Sequence, residues 1–225
     1  IGKTGMGKTT LLHQLIASDL AAGRGLALLD LHGDLADAVL DAVPRHRTND
    51  VIFFDAGDRD YPLSFNPLAC RAAHQRGLTA SAVVSAFKKL YGESWGPRLE
   101  HILRNALLTL LETPGTSLLS LQRLLSDTGY RKAVTARLHD PVVRAFWERE
   151  YASWKPQYQA EAIAPIQNKV GQFLSISALR AIVGQGRTSL DLRRVMDEGK
   201  MVIVNLSKGR IGEDASSLLG SLLVT

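Results

Sequence analysis

Apolar residues recur every three or four positions from Thr9 to Ala22, at Leu11, Leu12, Leu15, Ile16 and Leu20, and this spacing predicts a helix ended by Gly23. The run Gly25-Leu-Ala-Leu-Leu-Asp-Leu31 that follows is short and continuous, the pattern of a buried strand in a parallel sheet. Asp34 to Val43 returns to helical spacing, with Leu35, Ala38, Val39 and Ala42 on one side and Pro44 just beyond. Val51-Ile-Phe-Phe-Asp55 is a second buried-strand run. Strand, helix and strand with short connections predict right-handed parallel crossovers.

From Arg71 to Gly186 strand signals vanish. Helical runs cover Thr79–Tyr91, Pro97–Glu112, Ser117–Ser126, Gly129–Leu138, Pro141–Tyr151 and Gln157–Leu174. Lys200-Met-Val-Ile-Val-Asn-Leu206 then restores the strand pattern, and Ser216 to Val224 reads as a further helix. The organisation predicted is a discontinuous α/β core, residues 1–70 and 187–225, interrupted by an all-helical insertion at 71–186.

The segment Gly2-Lys3-Thr4-Gly5-Met6-Gly7-Lys8-Thr9 matches the pattern G-x-x-x-x-G-K-[ST] at every defined position, ahead of the first helix. Glycines let such a loop curl so that successive N–H groups meet phosphate oxygens at the positive end of the helix. Gly2 through Gly7, with Lys8, Thr9 and Thr10, are the expected contacts to a nucleoside triphosphate, taken as ATP. Lys8 is expected to reach the β- and γ-phosphates as the catalytic cation, and the Thr9 hydroxyl to bind Mg²⁺. The alternative is a glycine-rich turn that holds no ligand. Such a loop usually follows a strand, and only Ile1 precedes it here, so the chain is expected to start at that strand's end.

Ligands in open parallel sheets sit beyond the carboxyl ends of the strands. Asp30, His32 and Asp34 follow the first strand at that edge. Asp30 is a candidate catalytic carboxylate, to hold Mg²⁺ through water or to orient the attacking water. The competing reading is that Asp34 caps the helix it begins.

Composition narrows the classes. The 225 residues are 45% hydrophobic and 22% charged, an ordinary globular balance without an apolar run of membrane-spanning length. One cysteine, Cys70, excludes an internal disulfide and a multi-cysteine metal site, and a cytoplasmic setting is expected. Residues 1–70 carry 6 Lys/Arg against 9 Asp/Glu, a balance of −3, whereas residues 71–200 carry 19 against 11, a balance of +8. That asymmetry is compatible with a polyanionic partner, and equally with charges spread over helix faces. The pairs Lys88-Lys89 and Arg131-Lys132 divide the same way, with the solvated face favoured. Trp95, Trp147 and Trp154 are expected to pack in the core rather than stack on bases.

The succession Gly5-Met-Gly-Lys-Thr-Thr10, Leu29-Asp-Leu-His-Gly-Asp-Leu35 and Ser64-Phe-Asn-Pro-Leu68 resembles the ATPase domain of conjugative coupling proteins, relatives of HerA-like and FtsK-like DNA pumps. Trp95-Gly-Pro-Arg-Leu-Glu100, Pro165-Ile-Gln-Asn-Lys-Val170 and Val202-Ile-Val-Asn-Leu-Ser207 fit the same pattern. The resemblance implies a P-loop, RecA-like core with a helical insertion, ATP hydrolysis coupled to DNA movement, and a homo-hexamer working with a conjugation or secretion machinery. It also implies inner-membrane attachment of the parent protein, through segments outside this chain only. An arginine donated from a neighbouring subunit is expected by analogy, with Arg187 and Arg210 as candidates. The family's strand ending in Asp-Glu is absent, since Val202-Ile-Val-Asn205 ends in Asn. That strand is expected beyond Thr225, and residues 1–225 alone are expected to hydrolyse ATP weakly.

Two other classes fit the loop. One is a small-molecule kinase with the helical block as its lid; the other is a module that binds nucleotide without turnover. A GTPase is not expected, because Asn168-Lys169-Val170-Gly171 lacks the acid that reads guanine.

Overall fold

The computed structural model describes residue 3 and residues 6–70 and 72–224. In chain order it begins with helix α1 (Lys8–Ala21), strand β1 (Leu26–Asp30), helix α2 (Asp34–Asp41), a 3₁₀ turn (Arg45–Asp50) and strand β2 (Val51–Asp55). Helices then take over: α3 (Arg76–Tyr91), α4 (Pro97–Leu111), α5 (Leu118–Ser126), α6 (Thr128–Thr135), α7 (Pro141–Ala145), α8 (Pro156–Ser175) and α9 (Ser177–Val183). The chain ends with α10 (Leu192–Asp197), strand β3 (Met201–Asn205), α11 (Lys208–Ile211) and α12 (Glu213–Val224). The protein is α/β and mostly helical, with a small three-stranded parallel sheet.

Two compact units partition the chain: Ile1–Leu63 with Leu190–Ser216, and Ser64–Ser189 with Ser217–Thr225. The first holds the sheet, in the order β1-β3-β2. β3 is buried at all five positions, as its apolar run requires between two partners. β1 departs from the expectation of a buried strand: it lies at an edge, and only Asp30 among its five residues is buried. α1 departs too. Ile16 and Leu20 join a core with Leu26, Leu28, Leu35, Val39, Met201 and Ile203, while Leu11, Leu12 and Leu15 are 57%, 49% and 55% exposed. The narrow sheet supplies apolar partners only to the later half of that helix.

Arg47 fastens the opposite end of the sheet. Its buried guanidinium donates to the Arg24 carbonyl (2.8 Å), ahead of β1, to the Gly199 carbonyl (3.0 Å), ahead of β3, and to Asp50 (3.2 Å), ahead of β2. Gly25 lies in the same place, where an added Cβ would come within 2.8 Å of the Gly199 carbonyl carbon. Only glycine allows two backbones so close.

In the helical unit three helix starts have a local cause. Ser117 and Ser120 form a capping box on α5, and the Asp127 and Asp140 carboxylates accept amides at the starts of α6 and α7. The predicted helix Pro141–Tyr151 is α-helical only to Ala145 and continues as a π-helical turn, Phe146–Tyr151. Its wider turn brings Phe146, Trp147 and Tyr151 all to buried positions. Trp147 Nε1 donates to the Thr109 hydroxyl at 2.7 Å, both groups buried. α9 and α10, which the apolar spacing did not reveal, are seven and six residues long. No helix among the described residues is long and apolar enough to cross a membrane.

Candidate functional site

Gly7 is the point at which the chain enters α1. Its backbone is left-handed (φ 72°, ψ 19°), a conformation free for glycine that costs an ordinary residue roughly 1–2 kcal/mol. No side chain caps the helix, and no acidic residue stands in its first turn. The amides of Thr9 and Thr10 have no carbonyl one turn earlier in the helix, and they lie at its positive end. Met6 through Thr10 are all exposed. The Lys8 ammonium donates to the Lys3 carbonyl at 2.8 Å, and the Met6 amide to the same carbonyl at 3.3 Å. Met6 and Lys8 are therefore brought together on the Lys3 carbonyl oxygen, with Gly7 between them in sequence and Thr9 and Thr10 just inside α1. Gly2, Thr4 and Gly5, expected in the same cradle, lie outside the described residues.

α1 and β1 are separated by residues 22–25, and Ile16 and Leu20 pack in one cluster with Leu26 and Leu28. Helix and strand thus run in opposite directions over similar lengths, about 21 Å and about 17 Å from their standard rises. The start of α1 and the end of β1 share one side of the unit. Parallel pairing puts the ends of β2 and β3 on that side as well.

Those ends form a polar row. Asp30, Asn205 and Asp55 are register partners, Asn205 in the middle. Each has a different commitment. Asp30 is 8% exposed, and its carboxylate accepts the His32 amide on Oδ1 (2.9 Å) and the Leu35 and Ala36 amides on Oδ2 (2.9 and 3.0 Å). It caps α2 from a distance. Asp34, expected to cap that helix, makes no capping bond; the N-cap is Gly33, at φ 100°. The preceding strand ends close enough for Asp30 to reach the orphan amides first, so the helix takes its cap from β1. His32 contributes its backbone amide to this arrangement.

Asp55 accepts the Gly57 amide at 2.8 Å and forms an ion pair with Arg210. Arg210, a candidate for donation to a neighbouring subunit, is thereby engaged within its own chain. Its guanidinium lies over Gly57, where a Cβ would fall 2.5 Å from Nε. Arg187 is exposed. Of the basic pairs, Lys88 bridges to Glu100 at 3.0 Å, and Arg131 donates to the Leu124 and Leu125 carbonyls at 3.1 and 3.0 Å. One member of each pair thus has a structural partner.

Neither protein-family models nor curated proteins give a match to this chain.

Among the described residues, no group of three or more His, Cys, Asp or Glu side chains is placed to hold a metal ion. A magnesium ion at this edge would take most of its ligands from phosphate and water, as that ion commonly does. Thr9, the expected Mg²⁺ ligand, is exposed in the first turn of α1. Sequence patterning left one residue of this edge out: Asn205 drew notice only for not being a carboxylate. The clue to Asn205 was present, because each strand run ends in a polar residue: Asp30, Asp55, Asn205.

Proposed function

We propose that this chain is the nucleotide-binding module of a P-loop ATPase with a RecA-like core, taking Mg·ATP at the start of α1. The observation that carries the reading is Gly7. A left-handed glycine opens the helix without any side-chain cap or first-turn acid, which leaves exposed amides beside a lysine for an anion to occupy. Lys8 exchanges its contact with the Lys3 carbonyl for the β- and γ-phosphates, and the Thr9 hydroxyl joins the Mg²⁺ shell. Asp30 acts on this site by position: it fixes the loop that carries His32 and Gly33.

The sequence resemblance to conjugative coupling proteins and HerA-like pumps extends the proposal. The parent protein hydrolyses ATP to move DNA, as a homo-hexamer serving a conjugation or secretion machinery. The basic balance of residues 71–200 suits a nucleic-acid partner.

Titration calorimetry with Mg·ATP tests the first step. The 225-residue protein binds, and Lys8→Ala reduces affinity at least about tenfold while leaving thermal stability unchanged. A folded wild-type protein with no affinity for Mg·ATP removes the proposal. For the parent protein, ATPase activity rises with DNA; a folded hexamer indifferent to DNA removes the motor reading alone.

A further inference from the structure

Asn205 holds the one polar side chain of the strand-end row whose donor has no partner among the described residues. It is 5% exposed. Its Oδ1 accepts the Ser207 amide at 3.0 Å, which sets the orientation of the side chain and leaves Nδ2 as the outward group. The neighbouring acceptors are occupied: Asp30 holds the α2 amides, and Asp55 holds Gly57 and Arg210. Every side-chain nitrogen or oxygen sealed from solvent among the described residues has a hydrogen-bond partner. Nδ2, lacking one, therefore opens to solvent through a narrow gap.

Gly33 keeps that gap clear. A Cβ on it would stand 3.2 Å from Asn205 Oδ1 and 3.4 Å from Nδ2, and its φ of 100° already excludes an ordinary residue. A nearly buried amide is thus held in one orientation, its donor uncovered, on the side of the sheet where α1 begins. An unmet donor in such a place is costly unless a ligand or water meets it.

We propose that Asn205 Nδ2 donates to an oxygen of the terminal phosphoryl group of the bound nucleoside triphosphate, so that the site distinguishes triphosphate from diphosphate. This rests on the phosphate-loop reading above. The amide is neutral, so it contributes a directed hydrogen bond rather than a charge, and it suits an oxygen present in ATP and absent from ADP.

The test is the ratio of affinities. Mg·ATP and Mg·ADP are titrated into wild type, Asn205→Ala and Asn205→Asp; the aspartate retains an acceptor for Ser207 and removes the donor. Both variants should lose roughly tenfold in ATP affinity while ADP affinity stays within about twofold. Equal effects on the two nucleotides, or none, overturn the proposal while wild-type binding keeps the phosphate-loop reading intact. A wild-type protein that binds neither nucleotide removes both. If the variants do not fold, wild-type protein labelled with ¹⁵N-asparagine decides. The Asn205 side-chain amide signal should shift with a Mg²⁺-bound β,γ-imido analogue of ATP and not with Mg·ADP, and an equal response to both overturns the assignment.

Discussion

Asp30 Oδ2 accepts the Leu35 amide at 2.9 Å, across the turn that carries His32 and Gly33. The bond joins the last residue of β1 to the first turn of α2, and the same carboxylate also accepts Ala36 and His32. Three amides that would otherwise lack partners are satisfied by one group, and the loop between strand and helix has no freedom to drift.

Asp30→Ala should therefore lower the free energy of unfolding by roughly 1–3 kcal/mol. Asp30→Asn, which retains one oxygen, should cost less. Urea unfolding followed by circular dichroism gives both numbers. Unchanged stability combined with lost turnover would instead place the carboxylate in the chemistry.

At the other end of the strands, Arg47→Leu strips the Arg24 and Gly199 carbonyls of their donor and leaves Asp50 unpaired. The expected loss is about 2–4 kcal/mol in the same unfolding assay. Arg47→Lys should recover only part of it, because an ammonium lacks the planar fork that reaches three acceptors at once. A neutral Arg47→Leu variant would mean that the strand entrances are held by other means.

Trp147→Phe keeps the aromatic packing of the π-helical turn and removes the donor to Thr109. Losing that bond and leaving a small void should cost about 1–3 kcal/mol, visible in thermal melts, with far-ultraviolet dichroism preserved.

Glu198 gives a pH prediction. Its hydrogen bond to Arg194 at 2.6 Å, and then that to Lys200 at 2.9 Å, bring its carboxyl down to about 2. Because the folded value lies below the ordinary one, the stabilisation is complete above the usual carboxylate range and disappears as pH falls toward 2. Access to solvent keeps the effect small and sensitive to salt. A carbon-13 titration should find the Glu198 midpoint well below those of unpaired glutamates, and Arg194→Ala should move it upward.

Much of the architecture could be read from spacing. Strand runs at Leu26–Asp30, Val51–Asp55 and Met201–Asn205 were evident because a parallel strand is apolar on both faces. The long helices α4 and α8 were evident because their apolar periodicity persists over four or more turns. α9 and α10 escaped because so few residues establish no period, and the π-helical turn escaped because its spacing resembles that of a continued helix. The cap on α2 was misassigned to Asp34 because capping preferences are local, whereas the residue that bonds, Asp30, lies four positions earlier on the neighbouring strand. Arg47 was invisible for a similar reason: its acceptors are brought to it by the sheet, one of them 152 positions away.

The central place of β3 has a consequence for biosynthesis. β1 and β2 do not pair with each other, and each waits for a strand separated from β2 by residues 56–200. At ribosomal rates of about 5–20 residues per second, roughly 7–30 s pass between the emergence of the second strand and the arrival of the third. Throughout that interval two sticky, unzippered ribbons stand open on the nascent polypeptide. Helices α3 to α9, which emerge before β3, are the part able to fold while they wait.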